Sequence, residues 1–177
     1  GWGVGPRDRG RCGWLIAARA RTHAMTCGEP GTVLGDALAH EVGIGVFADN
    51  AEAAARADAL VLAVKPQVIK AVCTGLHAVA QSRKTLVISI AAGTTSEKIA
   101  AWLGGNAAIV RAMPNMPAAI GKGITAAVPP PNVSPAQRAR AQRSLAAVGD
   151  VRWRDPAASP DAVTAPPPPA SAAARVP

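Results

Sequence analysis

Lys65 stands in the segment Ala63-Val64-Lys65-Pro66, directly after the apolar run Ala59 to Val64 and directly before a stretch with helical spacing. A proline at the first helical position loses no needed hydrogen bond, so a helix opens there with free backbone N–H groups pointing outward beside one cation. Such an end suits an anionic or polyhydroxylated ligand; the plainer reading is an exposed lysine at an ordinary helix start. Ser89 to Gly93 (SIAAG) removes side-chain bulk over Ala91, Ala92 and Gly93. Small residues there either let a planar ring lie against the backbone or allow close helix packing. In Arg111 to Ala118 (RAMPNMPA), Pro114 and Pro117 bracket Asn115. They are expected to hold the chain extended outside the sheet and fix an amide that both donates and accepts, unless the stretch is only a rigid connector. Asn50, between a short extended stretch and Ala51 to Ala57, is read on its own as a helix N-cap.

Metal chemistry has no support in this sequence. Cys12, Cys27 and Cys73 form no Cys-x-x-Cys pair, and His23, His40 and His77 have no metal-ligand spacing. No disulfide framework is expected, and the default compartment is reducing. No residue offers itself as catalytic. The net charge of +8 raises a polyanion as partner, but its distribution argues otherwise. Residues 1–28 hold Arg7, Arg9, Arg11, Arg19 and Arg21 against Asp8, and the last twelve residues add Arg175, which leaves +3 for residues 29–165. No nucleic-acid partner is therefore expected. With no apolar run of membrane-spanning length, no membrane partner is expected either, and the cytoplasm is the expected location.

The elements that must position these segments follow from the apolar pattern. Ala59 to Val64 and Thr85 to Ile90 are continuous apolar runs of the kind buried on both faces of a parallel sheet. Ala107 to Arg111 and Ile124 to Val128 are further strands, with Val151 to Trp153 a short last one and Gly45 to Phe47 an early extended stretch. Between them the spacing predicts helices over Val33 to Val42, Ala51 to Ala57, Gln67 to Val79, a helix opened by a Thr94/Glu97 capping box and running through Trp102, and Ser134-Pro135 to about Ala147. Strands alternating with helices imply an α/β class, a mostly parallel sheet flanked by helices, with ligands beyond the carboxyl ends of the strands.

Taken together and in order, DN, LAVKPQ, SIAAG, RAMPNMPA, VSPAQ and DAVTA resemble pyrroline-5-carboxylate reductase over roughly Glu29 to Ala165. The resemblance implies a Rossmann-like dinucleotide-binding domain and reduction of 1-pyrroline-5-carboxylate to L-proline with NADPH or NADH, the last step of proline biosynthesis. It implies contacts to the dinucleotide from Asn50, from Ala63, Val64, Lys65 and Pro66, and from Ala91, Ala92 and Gly93, with Asn115 near the nicotinamide. It names a small-molecule substrate and, for the family, a homo-oligomer.

Two departures accompany the likeness. Residues 1–28 read as a divergent Gly/Arg-rich leader without the family's first strand and Gly-rich turn, and Gly28 stands where the family often has a serine near the adenosine 2′-phosphate. From 166 to 177 a Pro/Ala-rich stretch, read as a disordered tail, replaces the helical dimerisation domain. An abrupt change at both ends is what out-of-frame translation produces, so the chain alone is expected to lack activity and to keep, at most, a nucleotide-binding domain.

Overall fold

The structure, a computed structural model, describes residues 26–28, 36, 39–40, 44–115 and 122–155. Its strands are β1 (Thr26–Gly28), β2 (Gly45–Phe47), β3 (Ala59–Leu62), β4 (Leu86–Ser89), β5 (Ala108–Pro114), β6 (Gly123–Val128) and β7 (Gly149–Trp153). Its helices are α1 (Asn50–Ala55), α2 (Pro66–Gly75), α3 (His77–Arg83), α4 (Ser96–Trp102) and α5 (Pro135–Ala146). β3 to β7 form one sheet in chain order, parallel except at the β5–β6 junction, while β1 and β2 form a separate parallel pair. The α/β architecture expected from the sequence is thus present, with one antiparallel joint.

Alternation along the central strands explains the layering, since neighbouring side chains of a strand face opposite ways. Val87 and Ile109 join Leu62, Ile69, Cys73, Ile99 and Leu103 in a core beneath α2 and α4. Leu86, Ile88, Val110 and Ala112 face the other way and pack with Ala141 and Leu145 of α5. Every residue of β4 is buried, as a strand covered by helices on both faces requires. Aromatic residues contribute little. Trp153 is held at the margin by an indole N–H donated to Gln142 Oε1 and by the Arg138 guanidinium 4.6 Å from its ring centre.

Several local expectations change in detail. The helix expected over Gln67 to Val79 is two helices, α2 and α3, meeting at Leu76. Gly75 is a weak helix former, and the turn at Leu76 lets that side chain reach the core, where it is buried. The cap of α4 is Thr95, whose Oγ1 accepts from the Lys98 N–H, and not Thr94, which is itself buried. Asn50 is not an N-cap: Asp49 accepts from the Ala51 N–H at 2.8 Å, and Asn50 is the first helical residue. β5 runs on to Pro114, paired with Thr125, so this proline lies within a strand end and not outside the sheet. A proline is tolerated there because a missing N–H matters least near the end of a strand. The Ser134/Gln137 capping box is formed as expected, with both reciprocal bonds present.

β1 begins at Thr26, three residues inside the segment set apart as a leader. Of Val33 to Val42 the structure describes only Asp36, Ala39 and His40, all helical. Residues 1–25, 116–121 and 156–177 lie outside the described residues, and with them Pro117 and the Pro/Ala-rich stretch. Among the described residues no helix is long and apolar enough to cross a membrane, and no group of three or more His, Cys, Asp or Glu is placed to hold a metal ion.

Candidate functional site

β3, β4 and β5 are parallel neighbours, so their carboxyl ends lie side by side, with strands about 4.8 Å apart. The three segments singled out in the sequence therefore meet at one edge. After β3 the chain passes through half-buried Ala63 and Val64 to exposed Lys65 and Pro66, the first residue of α2. No side chain caps α2, and its first turn holds no acidic residue. The Val68 N–H turns back to Lys65 O at 3.1 Å. A helix end left open in this way is favourable for negative charge.

After β4, the Ile90 N–H still bonds Leu62 O at 3.1 Å, and the Ser89 hydroxyl oxygen accepts from the Ala91 N–H at 3.4 Å. The turn is thus anchored to β3 and to its own strand. Ala91 is buried, Ala92 and Gly93 are exposed, and Gly93 has φ +71°, a left-handed conformation that glycine takes without steric penalty. A side chain there would meet no neighbour within 4 Å, so the surface beside Gly93 is open.

After β5, Asn115 acts as one more rung of the β5–β6 ladder. Its N–H donates to Ile124 O at 3.2 Å and its Oδ1 accepts from the Ile124 N–H at 2.9 Å. One half of the amide that the sequence offered for a ligand is therefore committed to the fold. Nδ2 is the donor that remains, without a partner among the described residues.

Asn50 lies beside the other ladder, as the first residue of α1 just after β2. Its side chain packs directly on Gly28 at the end of β1, and a Cβ added to Gly28 would run into Asn50 Oδ1. The pair forms a close-packed corner, in which a side chain at position 28 would push the Asn50 amide aside. Asn50 is thus placed with β1 and β2, and the other expected contact residues with β3, β4 and β5.

Arg111 was left without a role by the sequence pattern. It pairs in register with Ser89, its side chain is 8% exposed, and its Nη1 has no hydrogen-bond partner. Burial pushes its pKa down, countered in part by the charge of Glu97. Glu97 lies in the first turn of α4, where its own backbone N–H and then the Thr95 hydroxyl hold its carboxyl below the usual range. The available signal was a charged residue inside an otherwise apolar strand, AIVRAM, since arginine is rarely buried without purpose.

The edge fits a dinucleotide in its parts: an uncapped helix terminus for phosphate, a small-residue turn for a flat ring, and a half-buried amide at the far strand. Among the described residues it presents no nucleophile paired with a base.

Known proteins resemble the chain over most of its length. The family model described as NADP oxidoreductase coenzyme F420-dependent matches residues 11–93. Pyrroline-5-carboxylate reductase of Pseudomonas aeruginosa is 40% identical over 163 residues, which cover 92% of this chain and 59% of that protein. Among solved structures, a pyrroline-5-carboxylate reductase from Coxiella burnetii superposes with a TM-score of 0.77 at 35% identity, covering 85% of this chain and 56% of its own. The NADP-bound pyrroline carboxylate reductase of Plasmodium falciparum has a TM-score of 0.72 at 22% identity over 86% of this chain and 55% of its own, a likeness of fold. The chain thus spans about half the length of the curated relatives it matches. The likeness also begins earlier than Glu29, since the family match starts at residue 11.

Proposed function

We propose that the chain belongs to the pyrroline-5-carboxylate reductase family and is the cofactor-binding part of an NAD(P)H-dependent reductase that converts 1-pyrroline-5-carboxylate to L-proline. The observation that carries the proposal is the meeting of the uncapped α2 terminus, the Ala91–Ala92–Gly93 turn and Asn115 on adjacent strand ends. When bound, the nicotinamide cofactor supplies the hydride that reduces the imine carbon of the substrate.

The work of this chain is binding and orientation. The open N–H groups of α2, with Lys65 beside them, take the phosphates. Ala91, Ala92 and Gly93 let the cofactor approach the backbone, and Ser89 and Leu62 keep that turn from shifting through their bonds to Ala91 and Ile90. Asn115 Nδ2 donates at the nicotinamide end, its orientation fixed because Ile124 occupies Oδ1. Asn50, seated on Gly28, takes the adenosine side. The proposed setting is cytoplasmic, with a homo-oligomer as the form of the complete enzyme.

A second reading takes this chain as a nucleotide-binding domain without turnover, because what its strand ends offer is binding groups, the open α2 terminus and the turn at Gly93. Mixing it with NADPH and 1-pyrroline-5-carboxylate separates the possibilities. The expected result is NADPH bound at one site with no oxidation above the protein-free rate. Turnover would overturn the binding-only reading and keep the reductase; failure to bind either NADPH or NADH would overturn both.

A further inference from the structure

We infer that the opposite, amino-terminal edge of the sheet holds a second site, for a small doubly charged oxyanion of the phosphate class. A cleft of about 210 Å³ opens there between the starts of β3 and β4 and the first turn of α5, lined by Asp58, Arg83, Lys84, Thr85, Gln137 and Arg140 among others. Three cations surround one carboxylate. Asp58 takes Arg140 at 3.2 Å and Arg83, more loosely, at 4.0 Å, while Lys84 makes no ion pair among the described residues. The cleft is left with two uncompensated positive charges, the complement of a dianion.

Thr85 points to a ligand independently of that charge. It is 4% exposed, it lines the cleft, and its Oγ1 has no hydrogen-bond partner. A buried hydroxyl in that state costs the fold stability, and as the cleft stands the atom is closed off from solvent, so an acceptor in the cleft reaches it once the side chains over it shift. Phosphate oxygens are such acceptors, and they suit guanidinium groups as well. Two features of the backbone agree. Lys84 has φ 49°, a left-handed conformation uncommon for a lysine, which places its charge at the cleft where a glycine would have capped α3 at lower steric cost. The twelve-residue helix α5 begins at the cleft. Its Gln137 N–H is satisfied by Ser134 and Pro135 has none, so the Ala136 N–H and the positive end of the helix face the anion.

Nothing in this arrangement draws on the carboxyl-terminal edge, so the site stands or falls apart from the reductase reading. Isothermal titration of the full chain with inorganic phosphate, at ionic strength matched by chloride, tests it. The expected result is one saturable site. Arg140→Gln should weaken binding about tenfold, as the loss of one charge-assisted contact does. Asp58→Asn should tighten it by removing the competing carboxylate. Thr85→Val should also weaken binding, and without phosphate it should melt at the same temperature as the parent or higher, because it removes an unpartnered hydroxyl. A methyl phosphate arm identifies the source: a gain of tenfold or more over inorganic phosphate assigns the site to a phosphorylated metabolite, and equal binding assigns it to the free ion. Heats no larger than those of chloride, or unchanged binding in both Arg140→Gln and Thr85→Val, would overturn the site.

Discussion

The two ladders of this molecule are built to different standards. In β3 to β7, β4 is buried throughout and β5 over its first five residues, with helices packed on both faces. In β1 and β2, three residues each, no residue is buried, and the pair is tied down by α1 and by the Thr26 hydroxyl donating to Ala53 O at 3.4 Å. Both ladders carry part of the proposed cofactor edge. The end proposed for the nicotinamide and phosphates rests on the buried sheet, and the end proposed for the adenosine on the lightly packed pair. Stability and binding should therefore separate when each ladder is altered.

The largest effect should come from the sheet. Ile88→Ala leaves a cavity at a fully buried position of β4, and the expected loss is about 3 kcal/mol in urea unfolding. Val46→Ala in half-buried β2 should lose less than about 1 kcal/mol. Equal losses would break the contrast.

A pH-dependent loss of similar origin should be visible in the same core. Burial pushes the Cys73 thiol from an ordinary 9.0 to about 11. A raised folded-state pKa means stability that is complete below about 9 and is lost as pH climbs to about 11, by roughly 2–3 kcal/mol at 1.36 kcal/mol per unit. Unfolding measured across that window should show the decline in the parent and lose it in Cys73→Ala. In the folded protein Cys73 should also resist alkylation that modifies the half-buried Cys27.

Ser134→Ala removes one half of the α5 capping box and should cost about 1 kcal/mol by thermal unfolding. The smallest effect on stability, and the most informative on binding, is expected from Gly28→Ala. The new methyl displaces the Asn50 amide, so NADPH should bind several-fold more weakly while the unfolding free energy changes by less than about 1 kcal/mol. Unchanged affinity would remove Asn50 from the site.

Much of this molecule was legible in its sequence, for physical reasons that can be named residue by residue. TLVISI announces a parallel strand buried on both faces, and β4 is one; ALVLAV carries the same signal, but β3 ends the described sheet, where Leu62 alone is buried and Val61 is 38% exposed, so that expectation is corrected. Ser134, Pro135 and Gln137 announce a helix start because all three serve the same terminus. The three chemistry-bearing segments were found because each follows such a strand. What escaped notice depends on contacts between distant residues. Thr94 has the capping-box glutamate three residues on and Thr95 does not, yet Thr94 is buried and Thr95 caps. The break at Leu76 follows from the core's demand for that side chain, not from helical periodicity. Asn115 looked free because its partner, Ile124, is supplied by an antiparallel strand whose direction no pattern revealed. Asp58, Thr85 and Arg140 lie far apart in the chain and form a cleft only through the fold.

The central claim is that the carboxyl-terminal edge of β3, β4 and β5 receives the dinucleotide, and hydrogen exchange read by mass spectrometry with and without NADPH addresses it most directly. Added NADPH should slow exchange in the segments 64–68 and 91–97 and leave 134–140 unchanged. No added protection in 64–68 or 91–97, or protection confined to residues elsewhere, would contradict it.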